Sequence, residues 1–280
     1  MISFSRSTQL LLFAMSFPLS AVGAGAQADT SSIRRRMESN QQLVAQRLST
    51  TSDDVERSRL VDQIGTIRVA AITPILRASV TETLRRENVV QGDRSRRART
   101  GQAIGDQFDA ELRLKLVELV VAFGDPAGID ALAGAVGTGG RAVNGIADFG
   151  AQAVPALIAV IEADRTNPDV VSGALDALRY IVEEHREEIP ADQRQRMRAL
   201  TMERLNSPQR YVSIVVAAAE LALTDGSPDL RSRVIALRDR PTQAFTTGTG
   251  DTVRQDWLRQ RIEARLRGEP ALPLRKRSRA

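Results

Sequence analysis

Apolar residues in this chain recur three and four positions apart, and no stretch alternates convincingly at two. Leu60, Ile64, Ile67 and Ala71 share one helical stripe, and Asp53 and Asp54 stand before it, where carboxylates meet the positive end of a helix dipole. Leu76, Val80 and Leu84 follow in a second helix opened by Thr73-Pro74. Leu112, Leu116, Leu119, Val120 and Phe123 line a strong helix over 111–123. Its other apolar residues, Leu114, Val117 and Val121, predict neighbours on more than one side. Two short helices are predicted over 125–136 and 141–149. The clearest pair carries Val154, Leu157, Ile158 and Ile161, then Val171, Ala174, Leu175, Leu178, Ile181 and Val182. Another pair spans 192–205 and 207–223, the second helix bearing Ile214, Ala218, Leu221 and Ala222. The last spans 227–237 and 251–266 around the loop Thr246-Thr247-Gly248-Thr249-Gly250. Residues 29–50, with Ile33, Met37, Val44 and Leu48 at roughly helical spacing, predict a marginal helix that caps the array. The predicted class is all-α.

Helix starts are punctuated regularly. Thr73-Pro74, Asp125-Pro126, Asn167-Pro168, Ser207-Pro208 and Ser227-Pro228 each place a capping side chain before proline. The side-chain oxygen can accept from an orphan backbone N–H, while Pro at the first helical position forfeits no bond. The residue before Pro is also pushed out of the α region, as a cap requires. The charged stretch Gly92-Asp93-Arg94-Ser95-Arg96-Arg97-Ala98-Arg99-Thr100-Gly101 interrupts the pattern and reads as a solvated linker. Phe123-Gly124 and Phe149-Gly150 lie 26 residues apart, each followed by a short apolar helix. Self-similarity at that period marks stacked helix pairs, none of which can bury its apolar face alone.

Gly150-Ala151-Gln152-Ala153-Val154-Pro155-Ala156-Leu157-Ile158 resembles a HEAT repeat of the short bacterial type. Gly128–Val136 resembles it more weakly, with Asp130 where the proline would stand. The resemblance is clearest over 124–185. It implies an α-solenoid, a right-handed superhelix of antiparallel pairs, whose second helices line a concave surface used to bind partners. It also implies a bend at Pro155.

The N-terminus reads differently. Arg6 precedes an apolar run from Leu10 to Val22, which ends in Ala24-Gly25-Ala26-Gln27-Ala28. That is the pattern of a secretory signal peptide over 1–28, cleaved after Ala28 or Ala26. The expected location is periplasmic or secreted. The chain has no Cys, so an exported form is held by packing rather than disulfides, and thiol chemistry and lipoprotein attachment are excluded. The expected division is 1–28 signal peptide, 29–105 N-terminal helical region with the charged linker, 106–240 HEAT-like repeats, and 241–280 C-terminal helix and basic tail.

The net charge of +5 suggests a polyanion partner until its distribution is examined. Residues 241–280 hold nine basic and four acidic side chains, a local +5. With Arg6 set aside, the body from 29 to 240 is therefore −1, which argues against a nucleic-acid groove. Aromatic residues amount to 4%, too few for stacking platforms. The tail Arg275-Lys276-Arg277-Ser278-Arg279 could instead touch an anionic envelope surface. Lys115 and Lys276 are the two lysines. The arginine excess reads mainly as composition, and secondarily as anion recognition through guanidinium forks.

Catalytic signals are weak. His185 with Glu188 has helical metal-ligand spacing, but Val182 stands where a Glu-x-x-His motif needs its acid. The stretch reads as a solvated helix end before Pro190. Gly137-Thr138-Gly139-Gly140-Arg141 lacks the ending and the preceding strand of a phosphate loop. Asp148 and Asp176 fall on neighbouring second helices and could approach each other, with raised pKa values if buried. The leading expectation is a non-catalytic scaffold, without cofactor or metal, that binds a protein through Arg141, Asp148, Asp176, Arg179, Arg210 and Glu220. The alternative is an envelope hydrolase or lyase using Asp148 with Asp176, or His185.

Overall fold

The computed structural model describes residues 26–99, 108–163, 167–246, 248–249 and 251–270. The expected signal segment before residue 26, Thr100 and Gly101 of the charged stretch, and the tail 271–280 lie outside them. Among the described residues there are twelve α-helices and no named strand. They are α1 Ala26–Thr50, α2 Asp54–Gly65, α3 Pro74–Arg99, α4 Phe108–Phe123, α5 Ile129–Ala135 and α6 Gly140–Ala147. α7 Val154–Ala163, α8 Pro168–His185, α9 Ala191–Asn206, α10 Val212–Asp225, α11 Pro228–Asp239 and α12 Thr252–Leu266 complete the set. The all-α class predicted from periodicity holds.

Packing follows the chain order. Each odd-numbered helix lies against the next odd-numbered one, each even-numbered helix against the next even-numbered one, and each odd helix against the even helix that follows it. Among the described residues, no helix packs substantially on another more than three places away in the sequence. One core cluster runs through all of them, from Ala45 and Leu48 of α1 to Leu258 and Ile262 of α12. Leu112, Leu116, Leu157 and Ile158 are among its buried members, and each contributes about 1.5–3 kcal/mol by leaving water. The arrangement is compatible with a helical repeat solenoid. No single described helix is long and apolar enough to cross a membrane, although the bent pair Gly140–Ala147 with Gly150–Ala163 passes by length and composition.

The Phe-Gly repeat has a conformational cause. Gly124, at φ +60°, ends α4, and Gly150, at φ +59°, closes the turn after α6. The left-handed conformation costs a residue with Cβ about 1–2 kcal/mol, so glycine recurs where successive even helices stop. Gly226 does the same after α10.

Proline punctuation succeeds in part. Asp125 accepts from the Ala127 amide and Asn167 from the Asp169 amide, at 3.0 and 3.2 Å. Pro74 and Pro228 also open helices, but Thr73 Oγ1 is buried without a hydrogen bond, and Ser227 makes no side-chain cap. Ser207-Pro208 opens none. α10 starts at Val212, because Gln209 pairs instead with the loop after α11: its amide donates to Ala244 O, and Thr246 N–H donates to Gln209 O. A prolyl nitrogen next to that bridge loses nothing by lacking a hydrogen.

Other boundaries move as well. α2 stops at Gly65, leaving Ala71 exposed in a short 3-10 turn. The charged stretch does not loop out at Gly92, since α3 continues to Arg99. The segment 125–136 divides into a 3-10 turn, α5, and a second 3-10 turn at Val136–Thr138. Pro155 sits in the first turn of α7, just after the 3-10 turn Gly150–Ala153, where a missing N–H is harmless. Ile33, expected on the apolar stripe of α1, is exposed.

Arginines have a recurring structural use. Arg113 donates to Gly134 O in the last turn of α5, Arg204 to Ile161 O in that of α7, and Arg233 to Leu205 O in that of α9. Arg186 reaches Thr224 O in the last turn of α10. Last-turn carbonyls have no partner within their own helix. A forked guanidinium can satisfy them and carries positive charge to the negative end of the dipole. Part of the arginine excess is therefore structural.

Candidate functional site

The even-numbered row brings together some of the charged residues singled out from sequence. Asp176 and Arg179 lie one turn apart on α8, with the Asp176 carboxylate 3.8 Å from Arg179 Nε. Arg179 is buried, 3% exposed. Its Nη1 donates to Glu183 Oε1 at 3.0 Å, and its guanidinium lies 4.2 Å from the Tyr180 ring centre. Burial works against the Arg179 charge, but Glu183, Tyr180 and Asp176 outweigh it and hold the group above its ordinary value. Burial pushes the half-buried Asp176 up to about 6. Arg179 opposes that rise, and the Glu220 carboxylate on α10 adds to it.

Glu220 is held from the other side. Arg261 Nε donates to Glu220 Oε1 at 2.7 Å, and Arg265 Nε lies 2.7 Å from Oε2. The second contact is ionic without the direction of a hydrogen bond. Both arginines belong to α12, so a 4%-exposed carboxylate ties α10 to α12. The gap beside this cluster, lined by Val216, Ala219, Leu223, Leu258 and Ile262, is about 10 Å³. That is room for one water. The cluster runs from α8 through α10 to α12, with the like charges of Asp176 and Glu220 side by side between arginines, and an open hollow of about 590 Å³ lined by Glu183, His185, Glu188, Thr224 and Arg265 borders it.

The other sequence candidates lie elsewhere. Arg141 is exposed on α6 and paired with Glu118 of α4. Asp148, exposed at the end of α6, is not the acid that acts on Asp176: the carboxylate that raises it is Glu220. The expected pairing of Asp148 with Asp176 is thus replaced by one between Asp176 and Glu220. Arg210 stands before α10, in the connection after α9, with its guanidinium 5.7 Å from the Tyr211 ring centre. Arg179 and Glu220, expected at a partner-contacting face, are instead enclosed between helices and unavailable for direct contact. Arg141, Asp148 and Arg210 remain exposed.

His185 is less solvated than its charged neighbours suggest. Its ring packs on Gly150, where an added Cβ would lie 3.3 Å from His185 Cγ, and Nδ1 is 2.9 Å from Glu188 Oε1. Among the described residues, no three acidic or histidine side chains are placed to hold a metal ion. Sequence reading missed Arg261 and Arg265. Their i,i+4 spacing was the available signal, since it puts both on one face of the last helix.

The chain matches no family model, no curated protein and no solved structure.

Proposed function

We propose that this chain is an exported, non-catalytic HEAT-like scaffold: a right-handed α-solenoid of antiparallel helix pairs that binds a protein partner in the cell envelope along its even-numbered helices. The observation that carries the reading is the packing order, odd helix on odd and even on even, with each even helix of three pairs ended by a left-handed glycine. Packing restricted to neighbours gives a quasi-one-dimensional body with a long continuous face, the kind of surface such arrays use for recognition. Support for a structural role of the charge cluster comes from its pairing, Arg179 with Glu183 and Glu220 with Arg261 and Arg265, which ties α10 to α12. Arg141, Asp148 and Arg210 are the exposed contact residues, and Asp176 is half-buried.

Small-angle scattering tests the shape. A compact globule of about 250 residues has a radius of gyration near 18 Å, and the solenoid reading requires a clearly larger value. Recovery of partner from envelope extract tests the surface. An Arg141→Glu/Arg210→Glu double variant that keeps its helicity should lose the partner, and undiminished recovery would reject these residues. Export predicts a mature N-terminus at Asp29 or Gln27. Deleting 271–280 should weaken salt-sensitive binding to anionic vesicles if the basic tail adds an electrostatic contact.

An envelope hydrolase or lyase is a second reading, favoured by one observation, the raised pKa of Asp176. The gap of about 10 Å³ beside Glu220 leaves no room for a substrate there, whereas the hollow of about 590 Å³ beside His185 and Glu183 does. Hydrolysis of a general ester or peptide substrate, lost in Asp176→Asn, would revive it.

A further inference from the structure

A cleft of about 320 Å³ opens among the C-terminal half of α3, the end of α5 and the start of α8. Arg113 of α4, 5% exposed, lines it. Arg57 and Arg179, also largely buried, each meet carboxylates: Arg57 pairs with Asp54 and Glu87, and Arg179 with Asp176 and Glu183. Arg113 meets neutral acceptors, its Nε donating to Asn88 Oδ1 and its Nη2 to Gly134 O, both at 2.9 Å. The nearby Glu87 carboxylate is already 2.5 Å from Arg57. Among the described residues the hydrogen-bond partners of Arg113 are neutral, an arrangement costly for a buried cation, and burial pushes the Arg113 guanidinium down to about 10 despite Glu87.

The rest of the cleft adds three further features. Asp169, in the first turn of α8, is exposed and lines it. Val89, 65% exposed, with Val160 and Val170, supplies an apolar wall. Gly134 and Gly137 pack tightly at its edge: an added Cβ at Gly134 would lie 2.7 Å from the Asn88 amide nitrogen, and one at Gly137 3.0 Å from Val170 Cγ2.

We propose that this cleft binds a free α-amino acid with an apolar side chain, its carboxylate on Arg113, its ammonium toward Asp169, and its side chain on the valine wall. A lining that includes both a guanidinium and an acidic residue matches a zwitterion better than a simple anion, which Asp169 would repel. Arg113 keeps its bonds to Asn88 and Gly134 through Nε and Nη2, so its remaining nitrogen, Nη1, is the donor a carboxylate would meet. This inference does not depend on the scaffold reading, because the cleft involves none of the proposed partner-contact residues.

Calorimetry on the full mature chain tests it with four probes. L-leucine should bind. Leucinamide, which lacks the carboxylate, should show at least a tenfold weaker affinity, as should 4-methylpentanoate, which lacks the ammonium group. Inorganic phosphate should not compete. Ala163→Trp, placed at an exposed residue lining the cleft, should abolish leucine binding without changing helicity. Asp169→Asn should erase the preference for leucine over 4-methylpentanoate. No leucine binding, equal binding of leucinamide, or leucine binding that survives Ala163→Trp would each overturn the proposal. Displacement of leucine by phosphate would also overturn it, by making the site one for anions in general.

Discussion

Gly173 lies in the middle of α8, where glycine is ordinarily a liability. Replacing a helix-interior glycine by alanine normally stabilises by about 1 kcal/mol, because glycine loses more backbone freedom on folding. At Gly173 the sign should reverse. An added Cβ would stand 2.6 Å from the backbone oxygen of Val136 and 3.0 Å from its carbonyl carbon. Val136 begins the 3-10 turn between α5 and α6 and is itself buried, so neither helix can rotate a side chain out of the way. Overpacking of this kind costs about 1–3 kcal/mol, and the upper end applies where backbone must move. Subtracting the helix-propensity gain leaves a net loss of about 2 kcal/mol for Gly173→Ala. At 2–4 °C per kcal/mol, the melting temperature should fall by about 4–8 °C. Gly92→Ala is the control: it sits in α3 with nothing within 4 Å of the added carbon. That variant should gain about 0.5–1 kcal/mol. Thermal and urea unfolding followed by circular dichroism would measure both. If the two variants shift stability in the same direction, the close approach of α8 to the Val136 turn is not what glycine is needed for.

Glu220→Gln would leave Arg261 and Arg265 facing each other around a neutral amide, and losing one partner of such a largely buried set costs about 3 kcal/mol. Because packing is confined to neighbours, α12 should loosen first, and emission from Trp257, the single tryptophan, should unfold at lower urea than the helical signal. Coincident transitions would refute this local reading. Asp176 has an ordinary value of 3.8 and a folded value raised to about 6. Between them the folded chain keeps a proton that the unfolded chain has lost, so this group makes stability fall as pH rises through that window. Asp176→Asn should therefore stabilise at pH 7, by about 1 kcal/mol after solvent screening, and gain nothing below about pH 4. A pH-independent difference would contradict it. Gly150→Ala combines left-handed backbone with the His185 ring 3.3 Å away and should lose about 2 kcal/mol in urea titration. A neutral result would mean that the turn after α6 tolerates an L-residue.

Helical periodicity, caps such as Asp125 and Asn167, and the repeated Phe-Gly stops could be read from sequence because each is a local property: a dihedral preference, a side chain reaching its own next amide, a stripe on one helix. All-α class and the approximate succession of helices follow from such facts. Tertiary structure alone decided which charges lie inside. Arg179 and Glu220 look like surface residues of amphipathic helices, and only the approach of α10 and α12 encloses them. Pairing of Gln209 with the loop at Phe245 overrode the helix start that Ser207-Pro208 promised, since a backbone bridge across helices outcompetes a weak local cap. Arg113 likewise carries no distinguishing pattern in the chain. That it bonds to Asn88 and Gly134 while the nearby Glu87 bonds to Arg57 depends on how the helices stand, and a single helix's periodicity contains no information about distances between helices.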